Sequence, residues 1–137
     1  MIKSLSIGQE VSVVVINEVG ALARVTSFLV NHGINVNAVA GYSNHIGDQA
    51  GLMFITDDNV SAINELTTNG YEDVRENEVI IVELENTPGA LKNISERLTQ
   101  NNINISYIYS TSCLNGCPAK IILSTSDNGR AFELLKS

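Results

Sequence analysis

The chain has 137 residues and a formal net charge of −7, and its eight Lys and Arg residues are scattered along the sequence. This charge argues against nucleic acid as a partner, because a phosphate backbone is bound by clustered cations. With 44% hydrophobic and 17% charged residues, the composition is that of a globular protein. No apolar run reaches the roughly 20 residues of a membrane span, and no signal peptide is recognisable. We therefore expect a cytoplasmic protein that has no membrane partner.

The first half of the chain alternates between strand and helix patterns. β-Branched residues favour a strand at 11–16, and Leu22, Val25 and Leu29 recur at the spacing of one helical face. Gly33 is expected to end this helix, because glycine adopts the left-handed conformation at low cost. The remaining predicted elements are strands at 36–42, 51–56 and 71–76, and a helix at 59–69 that Asp58 caps.

The second half repeats this order. A strand is predicted at 79–84, and Leu91, Ile94 and Leu98 give the next helix the same apolar face. Asn102 stands where that helix should end, and Asn is the residue that tolerates the left-handed conformation next best after glycine. Strands at 105–112 and 119–124 follow, and then a helix at 128–136 that Asp127 caps.

An offset of 69 residues relates the two halves. Between 17–36 and 86–105, seven of twenty positions are identical, and the same offset continues without a gap to the end of the chain. Later identical pairs include Thr56/Thr125, Asp58/Asp127 and Asn59/Asn128. A repeat of this length predicts two copies of one fold. Each copy reads β-α-β-β-α, which is the ferredoxin-like unit when a closing strand is added.

We therefore expect an α+β protein of two ferredoxin-like (βαββαβ) domains, at 8–77 and 78–137, each an antiparallel sheet with its helices on one face. The second domain lacks a closing strand of its own. Residues 2–7 match 71–76 at the same offset, and the segment 1–7 is expected to supply that edge strand, in the second domain or in a partner chain. Because a unit of about 60 residues is marginal alone, we also expect a homodimer.

The turn from strand to helix occurs twice as Asn-x-x-Gly-Ala-Leu, at 17–22 and 86–91. Glycine permits the tight turn, and the amides that follow stand at a helix N-terminus, where carboxylates bind well. An Asn before each turn and another after each helix add carboxamide groups. Together these groups suit a small zwitterion, although each Asn and Gly could serve the turn alone. The candidate ligand-binding residues are Asn17, Gly20, Ala21, Leu22, Asn35, Asn86, Gly89, Ala90, Leu91 and Asn104.

The sequence Asn-x-Pro-Gly-x-Leu, followed by a short helix and an Ile-Asn pair, resembles the ACT domain, the regulatory module attached to many amino-acid biosynthetic enzymes. The resemblance covers nearly the whole chain as a tandem pair. It implies a non-catalytic, allosteric regulator that binds an amino acid or similar carboxylate and has a biosynthetic enzyme as a partner. It implies neither a cofactor nor a metal.

In that family the domains pair side by side, and effectors bind at the seam between them. The resemblance matches Asn17 and Asn86 to the family's loop asparagine. It matches Asn35 and Asn104 to the asparagine that a facing domain donates. The implied seam joins Asn17 to Asn104 and Asn86 to Asn35.

Three residues depart from the family pattern. Val19 stands where the family usually has proline, so the first turn should be less rigid. Val15 and Leu84 stand where serine-sensing members carry a polar side chain, which favours a ligand with an apolar side chain.

Two alternative functions remain open from the sequence. One is a dimerisation or interaction module that has lost its ligand. The other is a small hydrolase on a ferredoxin-like fold, for which Arg24 is the nearest candidate catalytic residue, although Asn93 replaces it in the second half.

The cysteines and histidines give no metal site. Cys113 and Cys117 lie in a turn between strands, where two bystander thiols or a reversible disulfide are both compatible with the spacing. The only histidines, His32 and His45, are scattered, whereas a zinc site needs about four converging ligands.

Overall fold

The computed structural model describes residues 1–43 and 45–136. By its internal contacts the chain divides into two compact units. We call Gln9–Asn77 the contiguous unit, and Met1–Gly8 together with Glu78–Ser137 the discontinuous unit. The elements in chain order are β1 (Ile2–Ile16), α1 (Ala21–Val30), β2 (Val36–Ser43), β3 (Gln49–Thr56), α2 (Asn59–Thr68), β4 (Val74–Leu84), α3 (Ala90–Gln100), β5 (Ile105–Thr111), β6 (Ala119–Thr125) and α4 (Asn128–Lys136).

The contiguous unit has its strands in the order β2-β3-β1-β4. The pairs β1–β3 and β2–β3 are antiparallel. Its core joins Val11 and Val13 of β1 to Val25 of α1 and Leu66 of α2, all at most 1% exposed. Because β1 alternates its side chains between two faces, this core places both helices on the same face of the sheet.

The discontinuous unit has its strands in the order β1-β4-β6-β5, with residues of β1 before Gln9 at the edge. The pairs β4–β6 and β5–β6 are antiparallel. Ile2 and Leu5 of β1 pack against its core, and the backbone amide of Glu85 donates to the carbonyl oxygen of Met1 at 3.0 Å. The α+β, ferredoxin-like architecture with antiparallel strands that the sequence predicts is therefore confirmed.

The helix ends follow the predicted signals. Asp58 accepts a hydrogen bond from the amide of Ser61 at 3.1 Å, and Asp127 accepts one from the amide of Arg130 at 3.0 Å. Hydrogen bonds from the Ser61 side chain and then from its amide lower the pKa of Asp58 below its ordinary value. Asn102 has a φ of 58°, which makes it the one non-glycine residue with positive φ among those described. The predicted caps and left-handed end are confirmed.

Two strands are longer than predicted. β1 is continuous over Ile2–Ile16, so that the segments expected at 1–7 and 11–16 are one strand. β4 likewise joins the segments expected at 71–76 and 79–84 and begins at Val74. Asn77 in the middle of β4 donates to the Ser12 hydroxyl of β1 at 3.0 Å. Hydrogen bonds from Asn77 to Ser12 and Glu10 of β1 therefore accompany the extended backbone between the two predicted segments.

Among the described residues, none of the helices is long and apolar enough to cross a membrane.

Candidate functional site

The two strand-to-helix turns share one backbone conformation. Gly20 has φ 87° and ψ 2°, and Gly89 has φ 88° and ψ −13°. Residues other than glycine rarely adopt this left-handed backbone conformation, so each turn requires its glycine. The residue after each glycine begins the helix, as the sequence predicts.

The amides after these glycines are only partly available to a ligand. The Ala21 amide donates to the carbonyl oxygen of Glu18, and the Ala90 amide donates to that of Thr87, both at 3.2 Å. The Ala21 and Ala90 amides are therefore not free for a ligand, because each turn closes on its own hydrogen bond. No backbone carbonyl in the described part of the chain accepts from the amide of Leu22 or Leu91.

Asn17 is bound to the tip of the β2–β3 hairpin by three hydrogen bonds. Its amide donates to the carbonyl oxygen of Asp48 at 2.7 Å, and its carbonyl oxygen accepts from the Gly47 amide at 2.8 Å. Its side-chain Nδ2 donates to the carbonyl oxygen of His45 at 3.0 Å. In the contiguous unit the loop asparagine therefore holds the hairpin beside the turn.

Asn86 has no such attachment. Its residue is exposed, and its side chain makes no hydrogen bond to any described residue. The carboxamide of Asn86 is therefore open to a ligand, whereas Nδ2 of Asn17 already donates one hydrogen bond.

Asn35 and Asn104 are anchored by their backbones at the start of β2 and β5. The Asn35 amide donates to Oδ1 of Asp57 at 2.9 Å, and the Asn104 amide donates to the Ser126 hydroxyl at 3.0 Å. The Asn35 side chain donates to Oδ1 of Asn37 at 2.8 Å. Both asparagines are exposed.

Within each unit, the loop asparagine and the strand asparagine lie at opposite ends of a helix. The ten residues of α1 separate Asn17 from Asn35, and the eleven residues of α3 separate Asn86 from Asn104. At 1.5 Å per residue these helices are about 15 Å long. Neither unit therefore brings its own two asparagines together around one small ligand.

A cavity of about 730 Å³ lies beside the first turn, within the contiguous unit. Four of the predicted residues border it, namely Asn17, Gly20, Ala21 and Leu22. Tyr42 and Gly51, which face each other across β2 and β3, form part of its wall. A Cβ atom on Gly51 would lie 2.5 Å from the Tyr42 ring, so the glycine makes room for that ring. The sequence does not predict this pair, because the residue opposite Tyr42 is defined only once β2 and β3 have paired.

The remaining polar candidates have structural partners. Nη1 of Arg24, the candidate for the hydrolase alternative, donates to Oε1 of Glu18 at 3.2 Å. His32 pairs with Glu65 of α2. No cluster of three or more His, Cys, Asp or Glu residues that could hold a metal ion occurs among the described residues.

Cys113 and Cys117 are joined by a disulfide in the β5–β6 hairpin. Their Cα atoms are 5.8 Å apart, which is within the range that a disulfide spans. Of the two arrangements that the sequence left open, the structure has the bonded one.

Val15 and Leu84, two residues before the loop asparagines, are core residues that are 7% and 2% exposed. Each also borders a pocket beside its turn. Packing in the two cores is therefore a sufficient reason for their apolar side chains.

The ACT domain family model matches residues 10–67. No match to a curated protein sequence was found. Among solved structures, a protein from Bacteroides thetaiotaomicron is 27% identical, with a TM-score of 0.87 over 96% of this chain and 88% of that chain.

Regulatory subunits of aspartate kinase share the fold at lower identity. The ligand-free subunit from Thermus thermophilus is 12% identical, with a TM-score of 0.67 over 98% of this chain and 96% of that chain. The subunit from Thermus flavus is 15% identical, with a TM-score of 0.64 over the same shares. The ACT match therefore lies within the contiguous unit, around the turn of Asn17 and Gly20, in a chain whose fold is that of these regulatory subunits.

Proposed function

We propose that the chain is a tandem of two ACT-type domains that acts as a non-catalytic sensor of a small amino acid or similar carboxylate. The domains correspond to 8–77 and 78–137, with an edge strand from 1–7. The observation that carries the proposal is the duplicated left-handed glycine, Gly20 and Gly89, at the start of a helix in both halves. An asparagine stands three residues before each glycine. The ACT match over 10–67 supports a regulatory rather than catalytic role.

The turn at Asn86 is the better ligand site of the two. Its carboxamide makes no hydrogen bond to the described residues, and the Leu91 amide has no backbone acceptor among them. A ligand carboxylate can accept from that amide, and the carboxamide oxygen of Asn86 can accept from the ligand's ammonium group.

The strand asparagine has to come from a facing ACT-type domain. Asn104 is about one helix length from Asn86, so it cannot complete that site within its own domain. This geometry supports the arrangement that the family resemblance implies, with the chain working as a homodimer. A ligand held by two domains stabilises one apposition of them, and this differential affinity is what produces a signal to a biosynthetic enzyme.

A thermal-shift screen against the twenty amino acids tests this proposal. A ligand at 100 times its dissociation constant adds about 2.7 kcal/mol, which raises the melting temperature by several degrees in a protein of this size. We expect one amino acid or a small group to give this shift. Asn86→Ala should abolish it, while Gln100→Ala on the exposed surface of α3 should leave it intact. A shift that persists in Asn86→Ala would contradict the site, and no shift with any amino acid would contradict the ligand class.

An interaction module without a ligand is the second candidate. It is favoured by Asn17, whose side-chain nitrogen is already bound to the carbonyl oxygen of His45. In that half the turn holds the β2–β3 hairpin in place. If this candidate is correct, Asn86→Ala leaves the oligomeric state in size-exclusion chromatography unchanged, and no amino acid changes that state.

A further inference from the structure

The discontinuous unit contains a pocket of about 750 Å³ on the helix side of its edge strand. Ile2 and Leu5 of β1, Leu84 of β4 and Leu135 of α4 supply apolar walls. Leu84 and Leu135 are 2% exposed, so the floor of the pocket is the core itself. A pocket of this size that combines apolar walls with polar groups is typical of sites for small organic molecules.

The charged groups that border this pocket are all cationic side chains. Arg97 of α3 and Lys136 of α4 line it, and no Asp or Glu does so among the described residues. Nη2 of Arg97 donates to the carbonyl oxygen of Leu134 at 2.6 Å, which fixes the position of the guanidinium. Nζ of Lys136 pairs with Oε1 of Glu133 at 3.4 Å and lies 5.2 Å from the centre of the Phe132 ring. The lining thus holds two cationic side chains in a chain whose net charge is −7.

The corresponding pocket of the contiguous unit has the opposite charge. Its volume is about 470 Å³, and Glu18, Glu72 and Asp73 line it, with Arg24 as the cation. Nη1 of Arg24 is paired with Glu18 at 3.2 Å. Two pockets at equivalent places in one repeated fold therefore carry opposite charges, which shows that the fold does not require the cations of either.

Two substitutions along the 69-residue offset account for the cations. Phe28 stands where the second half has Arg97, and Thr67 stands where it has Lys136. Phe28 instead packs edge-on against Tyr71, with ring centroids 6.1 Å apart. At the mouth, Thr87 stands where the first half has Glu18, so the carboxylate present in one pocket is missing from the other.

We propose that the pocket of the discontinuous unit binds a monocarboxylate with an apolar chain. Arg97 and Lys136 receive the carboxylate, because a guanidinium and an ammonium at the rim of a partly apolar site bind anions strongly. The chain lies over Leu5, Leu84 and Leu135, where its burial removes apolar surface from water. This site does not rest on the proposed amino-acid site, since neither Asn86 nor Asn104 lines the pocket.

Isothermal titration with sodium octanoate, at a concentration below micelle formation, tests the proposal. We expect the unmodified protein to bind octanoate and to bind octylammonium at least tenfold more weakly. Lys136→Gln and Arg97→Gln should each weaken octanoate binding by about tenfold, since a charge-assisted hydrogen bond contributes about that factor. Arg24→Gln in the other pocket is the matched control and should leave octanoate binding unchanged. Rising salt should weaken the binding.

A further variant, Thr87→Glu, introduces the residue that the first half has at the equivalent position, Glu18. Thr87→Glu places a carboxylate at the mouth, as Glu18 does in the contiguous unit, and should reduce octanoate binding without unfolding the protein. Circular dichroism and the melting temperature check the fold of each variant. Asn86→Ala should leave octanoate binding intact, which separates this site from the amino-acid site. Absence of octanoate binding, or binding that Lys136→Gln, Arg97→Gln and Thr87→Glu all leave unchanged, would overturn the proposal.

Discussion

The side-chain amide of Asn128 donates a hydrogen bond of 3.1 Å to the carbonyl oxygen of Glu78 and thereby ties the start of α4 to β4. Asn59 makes the same bond to Gln9 at 3.2 Å in the contiguous unit. Oδ1 of Asn128 also accepts from the amide of Thr125 at 2.9 Å. The repeated Thr-x-Asp-Asn sequence is thus a clamp between helix and sheet, which explains why the offset preserves it.

Asn128→Ala should destabilise the protein. The change removes the bond to Glu78 and the acceptor for Thr125, and we expect the free energy of unfolding to fall by about 1–2 kcal/mol. Urea denaturation measures this as a lower midpoint. Asn93→Ala on the exposed surface of α3 is the control and should leave the midpoint unchanged or slightly higher, because alanine favours helix. Equal midpoints for Asn128→Ala and the unmodified protein would contradict the clamp.

Gly89→Ala should cost about 1–2 kcal/mol of stability through the backbone alone. No atom lies within 4 Å of a Cβ built on Gly89, whereas its φ of 88° disfavours any L side chain. Gly89→Asn should cost less, since Asn tolerates this conformation better. Gly129→Ala in α4 is the matched control and should be neutral or stabilising, because alanine is the better helix former and Gly129 has no positive φ. Thermal denaturation distinguishes the three variants, and equal losses at Gly89 and Gly129 would refute the argument.

Asn17→Ala should loosen the β2–β3 hairpin. The variant loses the bond from Nδ2 to the His45 carbonyl and keeps the two backbone bonds to Gly47 and Asp48. We expect the Gly47 amide to exchange with solvent about five- to tenfold faster, as befits the loss of one hydrogen bond. Hydrogen exchange followed by NMR measures the rate. Asn115→Ala in the other hairpin should not alter the exchange of Gly47, and an unchanged rate in Asn17→Ala would show that the backbone bonds suffice.

The N-cap at Asp58 should make stability depend on pH in the acid range. Hydrogen bonds from Ser61 lower the pKa of Asp58 in the folded protein. The contribution of Asp58 to the free energy of unfolding is therefore fully present above the unfolded pKa of about 4. It is lost as the pH falls through the lower folded pKa. Asp58→Asn should therefore narrow the drop in melting temperature between neutral pH and about pH 3. Glu72→Gln, beyond the other end of α2, is the control, and an equal drop in both variants would contradict the assignment.

The sequence repeat predicted the parts of the fold that depend on local geometry. Gly33 and Asn102 occupy the left-handed helix ends with φ of 66° and 58°, because few residues tolerate that conformation. The caps at Asp58 and Asp127 were predictable for the same reason, because each accepts a hydrogen bond from an amide only three residues later. These features depend on residues within a few positions of one another, and a single sequence displays them.

Features that depend on distant residues were not predictable in this way. The binding of Asn17 to the hairpin depends on where residues 45–48 lie after β2 and β3 have paired. The cationic pocket could not be predicted, because in the sequence Arg97 resembles an ordinary surface residue of an amphipathic helix. Its position matters only once Lys136 of α4 borders the same cavity.

The discontinuity of one unit has a consequence for how the chain folds during synthesis. The contiguous unit is built from Gln9–Asn77 alone and can form as soon as that stretch has left the ribosome. Residues 1–8 precede that stretch, yet their contacts lie with residues from Glu78 onward, as in the bond between Met1 and Glu85. Such long-range closure slows folding. The segment 1–8 therefore stays an unpaired strand edge until the residues after Glu78 have been synthesised.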